Sequence, residues 1–141
     1  MSKKSPRIAK LIEECQGQRH DAHYLGYFHC FNQQLFYEAH DVLEELWLTQ
    51  RQGPNYAFYK GLIQLAGAFV HLQKKRLRPA AALFKLSRKY LSAYPAIHEN
   101  LDMQQVAELT ATWLSDLENS DFSQNPLDQR PAPTLRLGDP S

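Results

Sequence analysis

The sequence predicts an all-α fold: a single-domain bundle of five or six helices, with one central buried helix and an extended C-terminal tail. Three observations predict it. Apolar residues recur with a helical period nearly throughout, and no segment shows strand alternation. The stretch 55–74 is apolar around most of its circumference, as suits a helix in the middle of a bundle. After about residue 119 the chain turns rich in Pro, Asn and Ser, so a helical domain (1–119) is expected to give way to an extended tail (120–141). A chain of 141 residues is long enough for one domain with a hydrophobic core and too short for two ordinary ones.

Each element has its own grounds. Ser5-Pro6 supplies an N-cap and a first helical position, opening a short helix over Ile8, Leu11, Ile12 and Cys15. Residues 22–32 form a second helix with Tyr24, Tyr27, Phe28 and Phe31 on its apolar side, and Asn32 breaks it. The third runs from about 34 to 49. At about 100° per residue, Leu35, Phe36, Ala39, Val42, Leu43, Leu46 and Trp47 share one face; Glu38, Asp41 and Glu45 point to solvent. Gly53-Pro54-Asn55 is a turn. The helix 55–74 ends in Lys74-Lys75-Arg76, whose charges suit a helix C-terminus. Pro79 opens the next helix, which carries Leu83, Phe84, Leu86, Tyr90 and Leu91 until Tyr94-Pro95 stops it. Asp102 caps a last helix, with Gln105 in the capping-box position and Val106, Leu109, Trp113 and Leu117 as its stripe. Both tryptophans continue apolar stripes and are expected to be buried. Phe122, Leu127, Leu135 and Leu137 would let the tail lie along a groove of the bundle. The turns before Ala39 and Ala80 resemble each other, as in helical-hairpin repeats.

The polar residues on the two central helices are the candidate site. His40 and Glu44 lie one turn apart on the border of the third helix's apolar stripe. On the fourth, Lys60, Gln64 and His71 occupy one narrow strip with Gly67 between them. Glycine costs roughly 1 kcal/mol relative to alanine in a helix interior, so Gly67 implies a close approach there. A short turn makes the two helices antiparallel neighbours, and His40, Glu44, Gln64 and His71 then converge. The leading reading is a buried hydrogen-bond network that fixes how the helices dock. One alternative is a divalent transition-metal site built from His40, Glu44 and His71; another is an acid/base pair. The zinc-protease pattern H-E-x-x-H and the di-iron Glu-x-x-His pair are both absent. A second group, His20, His23 and His29 with Cys30, is read as lying on a surface helix or loop, with adventitious metal binding at most.

At these residues the sequence resembles the domain-of-unknown-function 309 family of small bacterial and archaeal proteins. The motifs that carry the resemblance are Phe31-Asn32, then Phe36-Tyr37-Glu38-Ala39-His40-Asp41-Val42-Leu43-Glu44-Glu45-Leu46-Trp47, Gly61-Leu62-Ile63-Gln64-Leu65-Ala66, His71 and Ala80-Ala81-Ala82. They cover about residues 28–92. The resemblance implies an all-helical bundle and no assigned activity. The family pattern includes positions matching Glu38, His40, Glu44, Gln64 and His71. This chain departs from the pattern in two turns: Gln33-Gln34 stands where a glycine is common, and Lys75-Arg76-Leu77 replaces a Gly-containing turn.

Net charge is +1, but it is unevenly spread. No Asp or Glu occurs from Leu46 to His98, a span that holds Lys74, Lys75, Arg76, Arg78, Lys85, Arg88 and Lys89. Acids dominate from Glu99 onward, through Glu108, Asp116, Glu118, Asp121, Asp128 and Asp139. Polyanion binding by the basic hairpin 74–89 is therefore a further alternative. Charge pairing with the acidic last helix is favoured over nucleic-acid binding, since no recognition motif accompanies the patch. Cys15 and Cys30 follow no metal or redox spacing. No apolar run reaches membrane-spanning length, so a cytoplasmic location without membrane contact is expected. The function read from the sequence is thus a non-enzymatic structural or protein-interaction module, with self-association as a candidate partnership and enzymatic activity left open.

Overall fold

A computed structural model describes residues 6–16 and 20–138. Among them six helices follow one another: α1 (Pro6–Cys15), α2 (Ala22–Asn32), α3 (Phe36–Thr49), α4 (Tyr56–Gln73), α5 (Leu77–Leu91) and α6 (Met103–Asn119). Two short strands, β1 (Ile97–His98) and β2 (Leu101–Asp102), precede α6, and a single 3-10 turn at Pro126–Asp128 follows it. The all-α bundle is the observed fold. The expected Ser5 cap and Asp139 lie outside the described residues.

The near-continuous apolar surface of α4 has a simple reason: four helices share it. Phe69 of α4 meets Phe31 of α2 at 5.7 Å between ring centroids, Phe36 of α3 at 4.9 Å, Phe84 of α5 at 5.3 Å and Trp113 of α6 at 4.9 Å. Phe58, Leu62, Leu65, Ala66, Ala68, Phe69 and Leu72 are fully buried. Trp47 and Trp113 are both buried, as their stripes predict. No described helix is long and apolar enough to cross a membrane.

The resemblance between the two turns is physical. At the end of α2, Gln34 N–H donates to Phe31 O and Leu35 N–H to Cys30 O. At the end of α4, Lys75 N–H donates to Leu72 O and Arg76 N–H to His71 O. These paired bonds form the same helix-terminating motif twice. Gln34 and Lys75 hold the left-handed conformation with φ of 63° and 61°. The buried Ala39 and Ala80 follow at equivalent positions. The correspondence extends into the helices. A Cβ on Gly26 would lie 3.3 Å from Val42, and one on Gly67 would lie 3.1 Å from Leu83. The pairs α2–α3 and α4–α5 are therefore two copies of one helical hairpin, and Gln73 Nε2 donates to Gln34 O where the two turns touch.

Three expectations need correction. Asp41, read as solvent-facing, is 7% exposed, and Glu38 and Glu45 are half-buried. Helix α3 packs against both α2 and α4, so its buried arc is wider than one stripe. The segment before α6, read as free of strand, contains the antiparallel β1–β2 hairpin, with Ile97 opposite Asp102 and His98 opposite Leu101. Its two-residue turn, Glu99-Asn100, has φ of 50° and 61°, the pair of positive values that matches the twist of a tight hairpin. The His20 group also differs from its surface reading. His20 Nε2 lies 2.8 Å from Asn100 Oδ1, and Tyr24 OH donates to Glu99 O, so the start of α2 grips the hairpin turn. His23 sits between Asp21 and Glu45, whereas His29 is exposed. The Asp102 cap forms as predicted, accepting from the Gln104 and Gln105 N–H groups at 3.0 and 3.1 Å.

Beyond α6 the chain runs back across the bundle. Asn125 Nδ2 donates to the Leu72 carbonyl at the end of α4, which also accepts from Lys75 N–H. Asn32 bonds Leu135 twice, donating to its carbonyl and accepting from its amide, each at 2.7 Å. Leu135 is fully buried. Asn32→Ala is expected to cost about 1–3 kcal/mol, the penalty for stranding a buried amide and carbonyl. It should also speed exchange of the Leu135 amide hydrogen; unchanged protection there would show that apolar contacts alone hold this segment.

Candidate functional site

Helix α3 turns its His40–Glu44 border toward the polar strip of α4, and α5 closes the third side. The result is a cleft of about 320 Å³ lined by Tyr37, His40, Glu44, Lys60, Ile63, Gln64, Gly67, Val70, His71, Lys74 and Leu83. His40, Glu44, Gln64 and His71 thus face one space. Glu38 does not line it; it is half-buried elsewhere on α3. The close approach at Gly67 is made by α5: a Cβ there would stand 3.1 Å from Leu83 Cδ1 and at an ordinary 4.0 Å from His40 Cδ2.

The polar groups do not satisfy one another. His40 Nε2 and Glu44 Oε2 are 4.0 Å apart on a surface about a third exposed, too far for a hydrogen bond. Gln64 is 9% exposed, and its Oε1 is buried without a hydrogen-bond partner among the described residues. His71 Nδ1 is buried in the same condition. Burial, reinforced by the neighbouring charges of Arg76 and Lys74, lowers the His71 pKa below its ordinary value and favours the neutral ring. Lys60, the remaining member of the strip, lies 4.4 Å above the Trp47 ring, close enough for a cation–π contact. The closed network expected from the sequence is therefore not what the side chains form.

Residues 24–83 match the family described as Domain of unknown function (DUF309). Over that segment the chain is similar to DUF309. Its matched segment runs from the first turns of α2 into α5, and so contains both copies of the terminating turn and every residue of the cleft. Helix α6 and the tail lie outside that segment yet pack on it through Trp113 and Leu135. No curated protein and no solved structure matches the chain.

Within the matched segment the geometry also argues against a three-ligand metal site of His40, Glu44 and His71. No three His, Cys, Asp or Glu side chains among the described residues are grouped closely enough to hold a metal ion. Because α3 and α4 run antiparallel, Glu44 and His71 extend to opposite sides of His40. Tyr37, Lys74 and Leu83 line the cleft although the sequence reading did not place them in the site. Tyr37 precedes His40 by one turn, and Lys74 follows His71 by one turn, so both fall on strips already identified. Of the basic hairpin, Lys85 pairs with Glu118 of α6 at 3.5 Å, and Arg78 lies over the Phe122 ring. Lys74, Lys75, Arg76, Arg88 and Lys89 are exposed and form no ion pair among the described residues. Charge pairing with α6 is thus confined to one residue of that hairpin.

Proposed function

We propose that this chain is a non-enzymatic recognition module that holds a small polar ligand in the α3/α4/α5 cleft. One observation supports the reading: Gln64 and His71 line the same cleft, and each buries a polar atom, Oε1 and Nδ1, that has no hydrogen-bond partner among the described residues. A buried polar atom without a partner carries a desolvation penalty of about 1–3 kcal/mol. Folds keep such penalties where a bound molecule offsets them. The cleft is also of ligand size and combines apolar walls, Ile63, Val70 and Leu83, with a few convergent polar groups. The spacing of His40 and Glu44 supports binding over chemistry, since neither is held in hydrogen-bonding reach of a partner that would orient it.

The reading is tested by stability. Gln64→Leu keeps the volume and removes the unsatisfied carboxamide, so it is expected to stabilise the ligand-free protein by about 1 kcal/mol. That gain corresponds to a rise in melting temperature of roughly 3–5 °C. A fall of similar size would mean that Gln64 is a structural hydrogen-bonding group, and the recognition reading would be wrong.

A further inference from the structure

The end of α5, the start of α6 and the loop between them form a face that carries both a hole and a projection. The hole, about 240 Å³, is walled mainly by Leu91, Tyr94, Ala96, Met103, Val106 and Ala107. Leu91, Met103 and Val106 are buried at its base, whereas Ala96 and Ala107 are exposed at its mouth. The Tyr94 hydroxyl is engaged elsewhere, donating to Pro54 O and accepting from Phe58 N–H. Sites for free small molecules run to roughly 300–1,000 Å³, so this hole is sized for one inserted side chain. It shares no lining residue with the α3/α4/α5 cleft, and the two sites are separate.

The projection is Ile97, at 70% the most exposed large apolar side chain among the described residues. Two connections place it at the edge of the hole. Its chain neighbour Ala96 lines the hole. Its partner across the β1–β2 hairpin is Asp102, whose carboxylate accepts from the amide of Gln104, another lining residue. Cross-strand partners point to the same side of a hairpin, so Ile97 projects with exposed Asp102, opposite to buried Leu101. Unlike charges flank the same hole. Arg88 lines its α5 side, exposed and in no ion pair among the described residues. Exposed Glu108 stands one turn beyond Gln104 on the α6 side, where the Gln104 carboxamide donates to it at 3.3 Å and no described cation reaches it.

A foreign partner needs only one half of such a pattern, whereas a two-fold contact requires both halves on one chain, projection beside hole and cation beside anion. We infer that this face is the interface of a two-fold dimer in which Ile97 of each copy enters the hole of the other and Arg88 of each copy pairs with Glu108 of the other. Withdrawal of two isoleucines from water favours the association. The two charge pairs fix its register and disfavour wrong partners. Exposed Ala107 and Ala111, one turn apart on α6, leave room for the second copy to approach.

Sedimentation velocity of the full chain over a dilution series reads the assembly directly. The wild type is expected to pass from monomer to dimer as concentration rises, with no larger species, because a two-fold contact closes on itself. Ile97→Asp should raise the dimer dissociation constant at least tenfold, and so should Ala107→Phe, which blocks the mouth of the hole. Both positions are exposed, so the circular dichroism and melting temperature of each variant should stay those of the wild type. Arg88→Glu and Glu108→Arg should each weaken the dimer at least tenfold. Mixed in equal amounts, these two variants should recover it, since each supplies the charge that the other lacks. A wild type that stays monomeric up to its solubility limit overturns the inference, as does open-ended assembly or a dimer that Ile97→Asp leaves intact. A mixture that associates no more tightly than either charge variant alone removes the Arg88–Glu108 pairing, and with it the two-fold arrangement.

Discussion

Phe69→Ala is expected to destabilise this protein by about 3–5 kcal/mol, the largest effect of any single truncation in the core. Phe69 is fully buried on α4, and its ring touches one aromatic ring from each of α2, α3, α5 and α6. The contacts with Phe31, Phe84 and Trp113 are edge-to-face and that with Phe36 is stacked, geometries that add about 0.5–1.5 kcal/mol per pair beyond area burial. Helices anchored from four directions collapse poorly into the space left behind, which places the cost at the upper part of the range. A denaturant titration should show a lower midpoint with an unchanged slope. Leu86→Ala, at a side chain 41% exposed, serves as the control and should stay within about 0.5 kcal/mol of wild type. A Phe69→Ala cost below about 1.5 kcal/mol would show that α4 is not the element on which the others converge.

The second large effect has the opposite cause, excess volume. Alanine normally improves a helix interior over glycine by about 1 kcal/mol. At Gly61 that gain is outweighed. A Cβ there would lie 2.6 Å from Leu91 Cγ and 2.7 Å from Leu91 Cδ2, and Ser87 Oγ donates to the Gly61 carbonyl across the same contact. The branch carbon of a buried leucine cannot swing aside as a chain end can, so α4 and α5 must separate. Gly61→Ala is expected to cost about 1–3 kcal/mol net. In a Leu91→Ala background the same change should become neutral or stabilising, a coupling that thermal melts of the four proteins would expose. Gly67→Ala provides the contrast, because its nearest neighbour is the terminal Cδ1 of Leu83 at 3.1 Å, which can yield. If Gly61→Ala stabilises the wild-type background, the close approach of the two helices is not real.

Most helices were legible because their apolar residues were dense and strictly periodic. The Tyr24, Tyr27, Phe28, Phe31 series gives α2 its 22–32 limits, and Asp102 announces the start of α6. Asp41 was misread because a helical wheel with one apolar stripe assumes one neighbour, and α3 has two. The β1–β2 hairpin is too short for alternation to register, and its identity lies in the positive φ values of Glu99 and Asn100. For the cleft, angles alone placed His40, Glu44, Gln64 and His71 on facing strips. Angular reading discards position along the axis, however. That missing coordinate puts Glu44 and His71 on opposite sides of His40, which removes the three-ligand metal arrangement. Nor does spacing reveal that Gln64 Oε1 and His71 Nδ1 lack partners; only side-chain positions show it.

The double bond between Asn32 and Leu135 links residues 103 apart in the chain. During synthesis at about 5–20 residues per second, Asn32 at the turn of the first hairpin waits roughly 5–20 seconds for its partner. Over that interval the α2–α3 and α4–α5 hairpins, built from local contacts, have time to form by themselves, since a helical hairpin needs far less than a millisecond. Assembly is thus divided into an early stage governed by neighbours in sequence and a late stage that fastens the finished bundle from its far end. A nascent chain halted before Leu135 would carry both hairpins but leave Asn32 without its Leu135 partner, which makes that asparagine a natural reporter of whether synthesis has passed residue 135.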